Sequence, residues 1–178
     1  GLVVASDEVT SAVWRSYVTA LQQKESFGGT QGLGVVEREP GQSMLRLRYF
    51  AGQRDVAELR DWVMEAMPDA RVAADRATGA GTPFMSHAVM TSPVGDEAEV
   101  LVFSPVYLSS GFGGWVFTVM PLESLLSDLP SAEDLAVALT IRDAETGATV
   151  FHVGPEVEDE DFTPRYATTR TLDVFGRA

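Results

Sequence analysis

The residues best suited to catalysis in this sequence are few and poorly placed for it. His87 and His152 are the only histidines, and neither has another histidine near it along the chain. Ser86 precedes His87, but neighbouring residues of a strand point to opposite faces, so the two do not pair as nucleophile and base. Cysteine is absent, which excludes disulfides, thiolate metal sites and cysteine catalysis. We therefore expect a non-enzymatic protein with no metal and no other cofactor.

Acidic residues are the remaining candidates for catalysis or metal binding. An enzyme acting on the apolar runs at 84–90, 100–107 and 114–120 would need a nucleophile or paired carboxylates there, and these runs carry no acidic residue. The acidic run "EVEDEDF" at 156–162 lacks the glycine-punctuated spacing of a dedicated Ca²⁺ loop. It is therefore predicted to be a solvated loop.

Bulky aromatic residues recur with a period of two in the runs "VLVFSPVY" and "GWVFTVM". Strand periodicity puts Phe103, Pro105 and Tyr107 on one face of the first run. It puts Trp115 and Phe117 on one face of the second run. Such a face can line a small-molecule pocket. It can equally form a plain core, since burying one Trp contributes up to about 4–6 kcal/mol.

The overall composition excludes two classes of partner. The 178 residues include 13 basic and 26 acidic ones, which gives a net charge of −13. This charge repels nucleic acid and anionic lipid headgroups. With 45% hydrophobic and 22% charged residues the chain is expected to fold, and no run reaches the ~18 apolar residues of a membrane span.

A helix is the first element predicted, over the segment "SDEVTSAVWRSYVTALQQ". Ser6 or Asp7 can cap its first turn. Its apolar residues recur at helical spacing, which predicts a core stripe. The residues of this stripe are Val9, Val13, Tyr17 and Leu21, with Trp14 and Val18 beside them.

Strands and helices then alternate along the chain. "LGVVERE" and "SMLRLRYF" are predicted strands, the second with Leu45, Leu47 and Tyr49 on one face. "DVAELRDWVMEAM" and "PDARVAADRATG" are predicted helices, and Gly79 is the predicted stop of the second one. The three apolar runs follow as strands. Pro105 cannot donate to a ladder, so its strand is predicted to lie at an edge or to bend there.

A break in composition at "PSAED" begins a smaller unit. "LAVALTIRDAETGATVFHVG" predicts two strands joined by a turn, and "RYATTRTLDVF" predicts a last strand. The fold class is therefore α+β, with a larger unit over residues 1–130 and a smaller one over residues 131–178.

The order and spacing of several segments resemble the CHASE domain, the extracytoplasmic sensor domain of bacterial and plant signalling receptors. These segments are "ASDEVTSAVWRSYV", "FGGTQGLGVVERE", "ARVAADRATGAGTPFMSHAVMT", "VLVFSPVY", "GGWVFTVMPLESLLSDL" and "LDVFGR". The resemblance implies two PAS-like units with antiparallel sheets, which normally follow a long stalk helix that is truncated here. Residues 1–130 would form the membrane-distal unit that binds the ligand, and residues 131–178 an incomplete membrane-proximal unit.

The resemblance also implies a ligand site in the distal unit. Ser86 matches a position in the support of the pocket, Phe103 falls where the plant cytokinin receptors have a Thr that faces the ligand, and Trp115 falls where they have a Tyr. Because Phe103 removes a hydroxyl and fills space, we expect a small, partly aromatic or amphipathic ligand other than a cytokinin. The predicted ligand-binding residues are Ser86, Met90, Phe103, Pro105, Tyr107, Trp115 and Phe117.

A function follows from these expectations. The chain is predicted to be the periplasmic or extracellular sensor of a histidine kinase or diguanylate cyclase, with membrane helices and output enzyme outside this segment and a homodimer in the full-length receptor. The alternative is a sensor that recognises a periplasmic protein through its acidic surface, without a small-molecule pocket.

Overall fold

A twisted antiparallel sheet with a helix on each face forms the larger part of the chain. The computed structural model describes residues 10–22, 30–38, 45–52, 67–86, 99–109, 111–125, 138–153 and 168–176. The described helices are α1 (Ser11–Gln22), α2 (Met67–Ala80) and α3 (Leu122–Leu125). The described strands are β1 (Gly32–Arg38), β2 (Leu45–Gly52), β3 (Phe84–Met85), β4 (Glu99–Leu108), β5 (Gly111–Pro121), β6 (Leu139–Arg142) and β7 (Thr149–Val153). Strands β1 to β5 form one sheet in the order β2-β1-β5-β4-β3.

The hairpin of β4 and β5 is the centre of this sheet, and its register sets the positions of the aromatic residues. Phe103 lies opposite Phe117, and Pro105 lies opposite Trp115. The short strand β3 reaches only as far as Phe103 on the outer side of β4. Pro105 thus lies beyond the end of β3, where its missing N–H breaks no ladder bond. This confirms the edge position that was predicted for Pro105.

A β-bulge interrupts the pairing of β1 with β2. Val35 pairs with Tyr49, whereas the next residue, Val36, pairs with Leu47, so Arg48 is one residue in excess. A bulge of this kind reverses the alternation of faces beyond it. The prediction that Tyr49 shares a face with Leu47 is therefore wrong.

The bulged Arg48 points to solvent and forms an ion pair with Glu37. The hydrogen bond with the Glu37 carboxylate raises the pKa of the Arg48 guanidinium above its ordinary value. On either side of the bulge, Leu47 packs with the core under α2, and Tyr49 packs with the core under α1.

Helix α1 covers the first face of the sheet. Thr10 Oγ1 accepts a hydrogen bond from the N–H of Val13 and so caps the described helix, whereas the predicted caps lie outside the described residues. Trp14 and Val18 are fully buried, and the Trp14 indole N–H donates to the Leu33 carbonyl at 3.2 Å. Val13 is 45% exposed, so its predicted place in the core stripe is wrong. The buried stripe is rotated by one residue because the helix is oriented by its tryptophan.

Helix α2 covers the opposite face and is the helix predicted from "PDARVAADRATG". Small side chains at a spacing of three and four residues form its buried face, which allows the helix to approach the sheet closely. These residues are Ala70, Ala73, Ala74 and Ala77. The helix ends at Ala80, and Gly81 follows it, so the predicted stop at Gly79 lies within the helix. Gly81 adopts φ 68° and donates its N–H to the Ala77 carbonyl.

Strands β6 and β7 form a separate two-stranded sheet, as the sequence predicts. Asp143 Oδ1 accepts hydrogen bonds from the N–H groups of Glu145 and Thr146, which fixes the predicted turn between these strands. Residues 168–173 are not a strand, so the prediction of a last strand there is wrong. The helix predicted from "DVAELRDWVMEAM" lies outside the described residues except for its last residue, Met67. Within the described ranges, no helix has the length and hydropathy needed to cross a bilayer.

Candidate functional site

The predicted site residues, with the exception of Met90, fall within the described part of the chain and lie along the side of β3, β4 and β5 that faces α2. Met90 lies outside the described residues. The residues Phe103, Pro105, Tyr107, Trp115 and Phe117 are named here the aromatic face. Trp115 and Tyr107 form one end of this face, called the helix end. Beyond its other end, the same side of the sheet continues to Ser86, Glu99 and Leu101, which are called the serine end. Phe103 and Phe117 lie between the two ends.

Trp115 dominates the helix end and is fully enclosed by protein. Its ring is 1% exposed, and its indole N–H donates to the Ala74 carbonyl at 2.7 Å and to Thr78 Oγ1 at 2.9 Å. Phe112 contacts the ring edge-on at a centroid distance of 4.7 Å. The Arg38 guanidinium lies 5.4 Å from the ring centroid. Trp115 therefore anchors α2 to the sheet through both its ring and its one polar atom.

Tyr107 lies at the outer limit of the helix end. Its hydroxyl donates to the Thr78 carbonyl at 3.4 Å, which is a long hydrogen bond, and its side chain is 51% exposed. Leu108 and Phe112 are also exposed at the tip of the hairpin. The hairpin therefore presents an apolar tip to solvent.

Phe103 and Phe117 form the floor of the aromatic face. Their rings lie 5.8 Å apart across the hairpin, and each is 1% exposed. Phe50 of β2 stacks on Phe117 at 6.2 Å with an interplanar angle of 17°. The Phe117 ring occupies the space where a side chain at Gly34 would lie, so β1 contributes only backbone beneath it. These contacts build a continuous aromatic layer across three strands.

Ser86 closes the serine end. It is 1% exposed, its N–H donates to the Leu101 carbonyl at 2.8 Å, and its Oγ accepts the Leu101 N–H at 3.0 Å. In a regular antiparallel pair the Leu101 N–H would bond to the backbone carbonyl opposite it. The hydroxyl of Ser86 takes the place of that carbonyl at the point where β3 ends.

Glu99 is a site residue that the sequence did not single out. It is 1% exposed, it begins β4 opposite Pro121, and strand alternation puts it on the same face as Leu101 and Phe103. In the sequence, Glu99 ends the charged stretch "GDEAE" that precedes the apolar run "VLVFSPVY". Its even spacing from Leu101 and Phe103 was the one signal that it belongs to the strand. A buried carboxylate keeps its charge only where hydrogen-bond donors or cations accompany it, so the groups that meet at Glu99 matter for this end of the sheet.

Metal chemistry finds no support in the described ranges, where no group of three or more His, Asp or Glu side chains could hold an ion. His152 lies in β7, with its Nδ1 2.9 Å from Thr140 Oγ1. His87 lies outside the described residues.

The fold is similar to one found in solved sensor proteins. The chain matches the ligand-binding domain of the Pseudomonas aeruginosa PAO1 amino acid chemoreceptor PctC in complex with GABA, with a TM-score of 0.51 and 17% sequence identity. The match covers 85% of this chain and 61% of that one, so this chain spans less than two thirds of that domain's length. The prediction of an α+β, PAS-like fold is confirmed. No protein-family model matches the chain, and no curated protein matches it.

Proposed function

We propose that this chain is a small-molecule sensor domain of a membrane signalling receptor and has no catalytic role of its own. The observation that carries this proposal is the fold that it shares, over 85% of its length, with the ligand-binding domain of a chemoreceptor. The segments that resemble the CHASE family support a position outside the cytoplasm. They also support a homodimeric receptor whose output enzyme is a histidine kinase or a diguanylate cyclase.

The ligand is proposed to bind at the serine end of the aromatic face. Ser86 and Glu99 are the buried polar residues of this end, and Phe103 and Phe117 continue the same side of the sheet along β4 and β5 as apolar surface. Met90 is retained in this site on the strength of the CHASE resemblance. Pro105, Tyr107 and Trp115 are proposed to support the site from the helix end, since Trp115 already gives its indole N–H to α2.

The chemistry of this end favours a small amphipathic molecule that carries an amine. Glu99 offers a carboxylate for an ammonium group, and charge-assisted hydrogen bonds of this kind are the stronger ones. Phe103 and Phe117 offer apolar surface to the carbon skeleton. The chemoreceptor domain with the similar fold holds GABA, which is itself a short carbon chain with an ammonium group.

The proposed mechanism is a shift between two populated conformations. A ligand that binds one arrangement of the sensor more tightly raises the population of that arrangement. A coupling free energy of about 1–3 kcal/mol, usual in allosteric proteins, changes the output by roughly 5- to 150-fold.

A thermal-shift screen with GABA, α-amino acids, diamines, purines and organic acids tests the proposal. A compound present at ~100 times its Kd stabilises the folded chain by about 2.7 kcal/mol. In a domain of this size, this raises the Tm by roughly 5–10 °C. We expect at least one amine to produce such a shift.

The variant Glu99→Gln, which keeps the size of the side chain, is expected to abolish the shift produced by that amine. Glu37→Gln is the matched control, because Glu37 lies on the protein surface in an ion pair with Arg48. The control is expected to retain the full shift. If no compound in the screen stabilises the chain, the small-molecule proposal is wrong; if Glu99→Gln binds the amine normally, the assignment of Glu99 is wrong.

A protein-binding sensor is the second candidate, and the apolar tip of the hairpin favours it. Tyr107, Leu108 and Phe112 are between 36% and 51% exposed. Exposed aromatic residues are enriched in protein interfaces. Under this alternative, no compound in the screen raises the Tm. The double variant Tyr107→Ser, Phe112→Ser then lowers receptor output in cells while the Tm of the chain changes little.

A further inference from the structure

Strand β3 is held from both sides by different parts of the chain. Its inner side pairs with β4, where the Ser86 N–H donates to the Leu101 carbonyl at 2.8 Å. Its outer side contacts the segment Asp173–Gly176, named here the C-terminal turn. The Met85 N–H, one residue before Ser86, donates to the Phe175 carbonyl at 3.1 Å. A single peptide unit therefore separates the C-terminal turn from the serine end.

The backbone of the C-terminal turn is strained and is fixed by hydrogen bonds. Phe175 adopts φ 48°, a left-handed conformation that costs a bulky residue of order 1 kcal/mol or more. Gly176 follows with φ 75° and donates its N–H to Asp173 Oδ1 at 2.9 Å. The Phe175 side chain remains 42% exposed, so burial of its ring does not explain the strained backbone. The strained conformation instead accompanies the hydrogen bond that the Phe175 carbonyl accepts from Met85.

Phe84, the other residue of β3, is the second contact of the C-terminal turn. A Cβ atom at Gly176 would lie 2.6 Å from Cδ2 of Phe84, so only glycine fits against this ring. The Arg76 guanidinium of α2 lies 5.4 Å from the ring centroid, and Arg76 forms an ion pair with Glu145 at 2.6 Å. Helix α2, the turn between β6 and β7 and the C-terminal turn are thus all linked to one phenyl ring.

We propose that β3 couples the C-terminal turn to the serine end, so that docking of the turn and order at Ser86 are thermodynamically linked. Separating the turn from β3 would release Phe84 and Met85, and this would loosen the bonds between Ser86 and Leu101. By reciprocity, loosening Ser86 weakens the docking of the turn. This inference goes beyond the proposed function, because it concerns two contacts within the protein and holds without any ligand.

Residue-resolved amide hydrogen exchange by NMR tests the coupling in both directions on the complete chain. Gly176→Ala pushes a methyl group against Phe84. It is expected to speed exchange of the Ser86 and Leu101 amides by about fivefold or more, in line with usual coupling strengths. Gly111→Ala is the matched control, because Gly111 also has a positive φ, 118°, but open space around its Cβ position, and it lies at the far tip of the β4–β5 hairpin. The control is expected to leave both amides unchanged.

The reverse experiment perturbs the serine end and observes the opposite edge of β3. Ser86→Ala removes the acceptor of the Leu101 N–H and is expected to speed exchange of the Met85 amide by about fivefold or more. Ser104→Ala, on the other face of β4, is the control.

Two results would overturn the proposal. One is a change confined to the mutated side of β3, which would show that its two edges act independently. The other is an equal acceleration of the β1 amides, such as that of Val35, which would show a general loss of stability. Neither result depends on whether a ligand exists, so failure of this inference is distinct from failure of the proposed function.

Discussion

The two ends of the aromatic face both bury polar groups but use them differently. At the helix end, Trp115 gives its only polar atom to α2, and its ring is covered by Phe112 and Arg38. At the serine end, the polar residues Ser86 and Glu99 lie buried, and the Ser86 hydroxyl accepts the Leu101 N–H. The difference teaches that aromatic character alone does not mark a binding site. The proposed function assigns the ligand to the serine end because of its neighbouring polar groups.

The largest expected effect is the loss of the anchor at the helix end. Trp115→Ala removes a buried ring and leaves a cavity beneath α2, so we expect the free energy of unfolding to fall by about 3–5 kcal/mol. Chemical denaturation measures this change. Phe112→Ala is the control, because its side chain is 43% exposed, and we expect a much smaller loss. A loss below about 1.5 kcal/mol for Trp115→Ala would remove the distinction between the two ends.

A second, smaller effect tests how tightly β5 and β1 approach each other beside Trp115. Gly114 has φ 114°, and a Cβ atom there would lie 2.6 Å from the Val36 carbonyl oxygen. Gly111 has a similar φ of 118°, with open space around its Cβ position. Both alanine variants place a side chain at a positive φ, which strains the backbone. Only Gly114→Ala also pushes its Cβ atom against the Val36 carbonyl oxygen.

We therefore expect Gly114→Ala to lower the free energy of unfolding by at least about 1 kcal/mol more than Gly111→Ala does. The measurement is a pair of urea denaturation curves. Equal losses for the two variants would mean that β1 and β5 can move apart at low cost, which would contradict a rigid helix end.

The smallest expected effect concerns the surface of the helix end. Arg38→Met keeps an apolar chain over Trp115 but removes the ion pair with Asp75, in which both side chains are about half exposed. Exposed pairs contribute little, so we expect a loss of less than about 1 kcal/mol that shrinks further at high salt. A double-mutant cycle with Asp75→Asn isolates the pair. A coupling above about 2 kcal/mol would show that charge, and not packing, holds this end together.

The strands and helices of the described chain were largely predictable because their periodicity is clear. The alternation in "VLVFSPVY" places Phe103 on the core face, and the alanines of "PDARVAADRATG" predict a helix that packs closely. The bulge at Arg48 was not predictable, since an extra residue leaves the hydrophobic pattern of β2 intact while reversing its faces. The orientation of α1 also escaped prediction, because spacing alone allowed a stripe centred on Val13 or on Trp14.

The candidate site was predictable only in part. The family resemblance assigned Ser86 and Phe103 to one site, and the structure places them on adjacent strands, with Ser86 bonded to Leu101 and Phe103 paired with Phe84. Glu99 was missed because a carboxylate that follows "GDEA" looks solvated, and its burial depends on pairing with a distant strand that ends at Pro121. The resemblance grouped Trp115 with the ligand contacts, and nothing in the sequence indicated that α2 would take its indole N–H.

The bulge in β2 has a mechanical consequence. The bulge sets which face each residue beyond it takes, and ordinary strand alternation then points two consecutive aromatic residues to the two layers: Tyr49 stacks on Trp14 of α1 at 6.1 Å, and Phe50 stacks on Phe117 at 6.2 Å. Through these two rings, β2 contacts α1 on one face of the sheet and the aromatic face on the other. We therefore expect a tilt of α1 to displace Phe50 and Phe117 as well, because both layers contact consecutive residues of one strand.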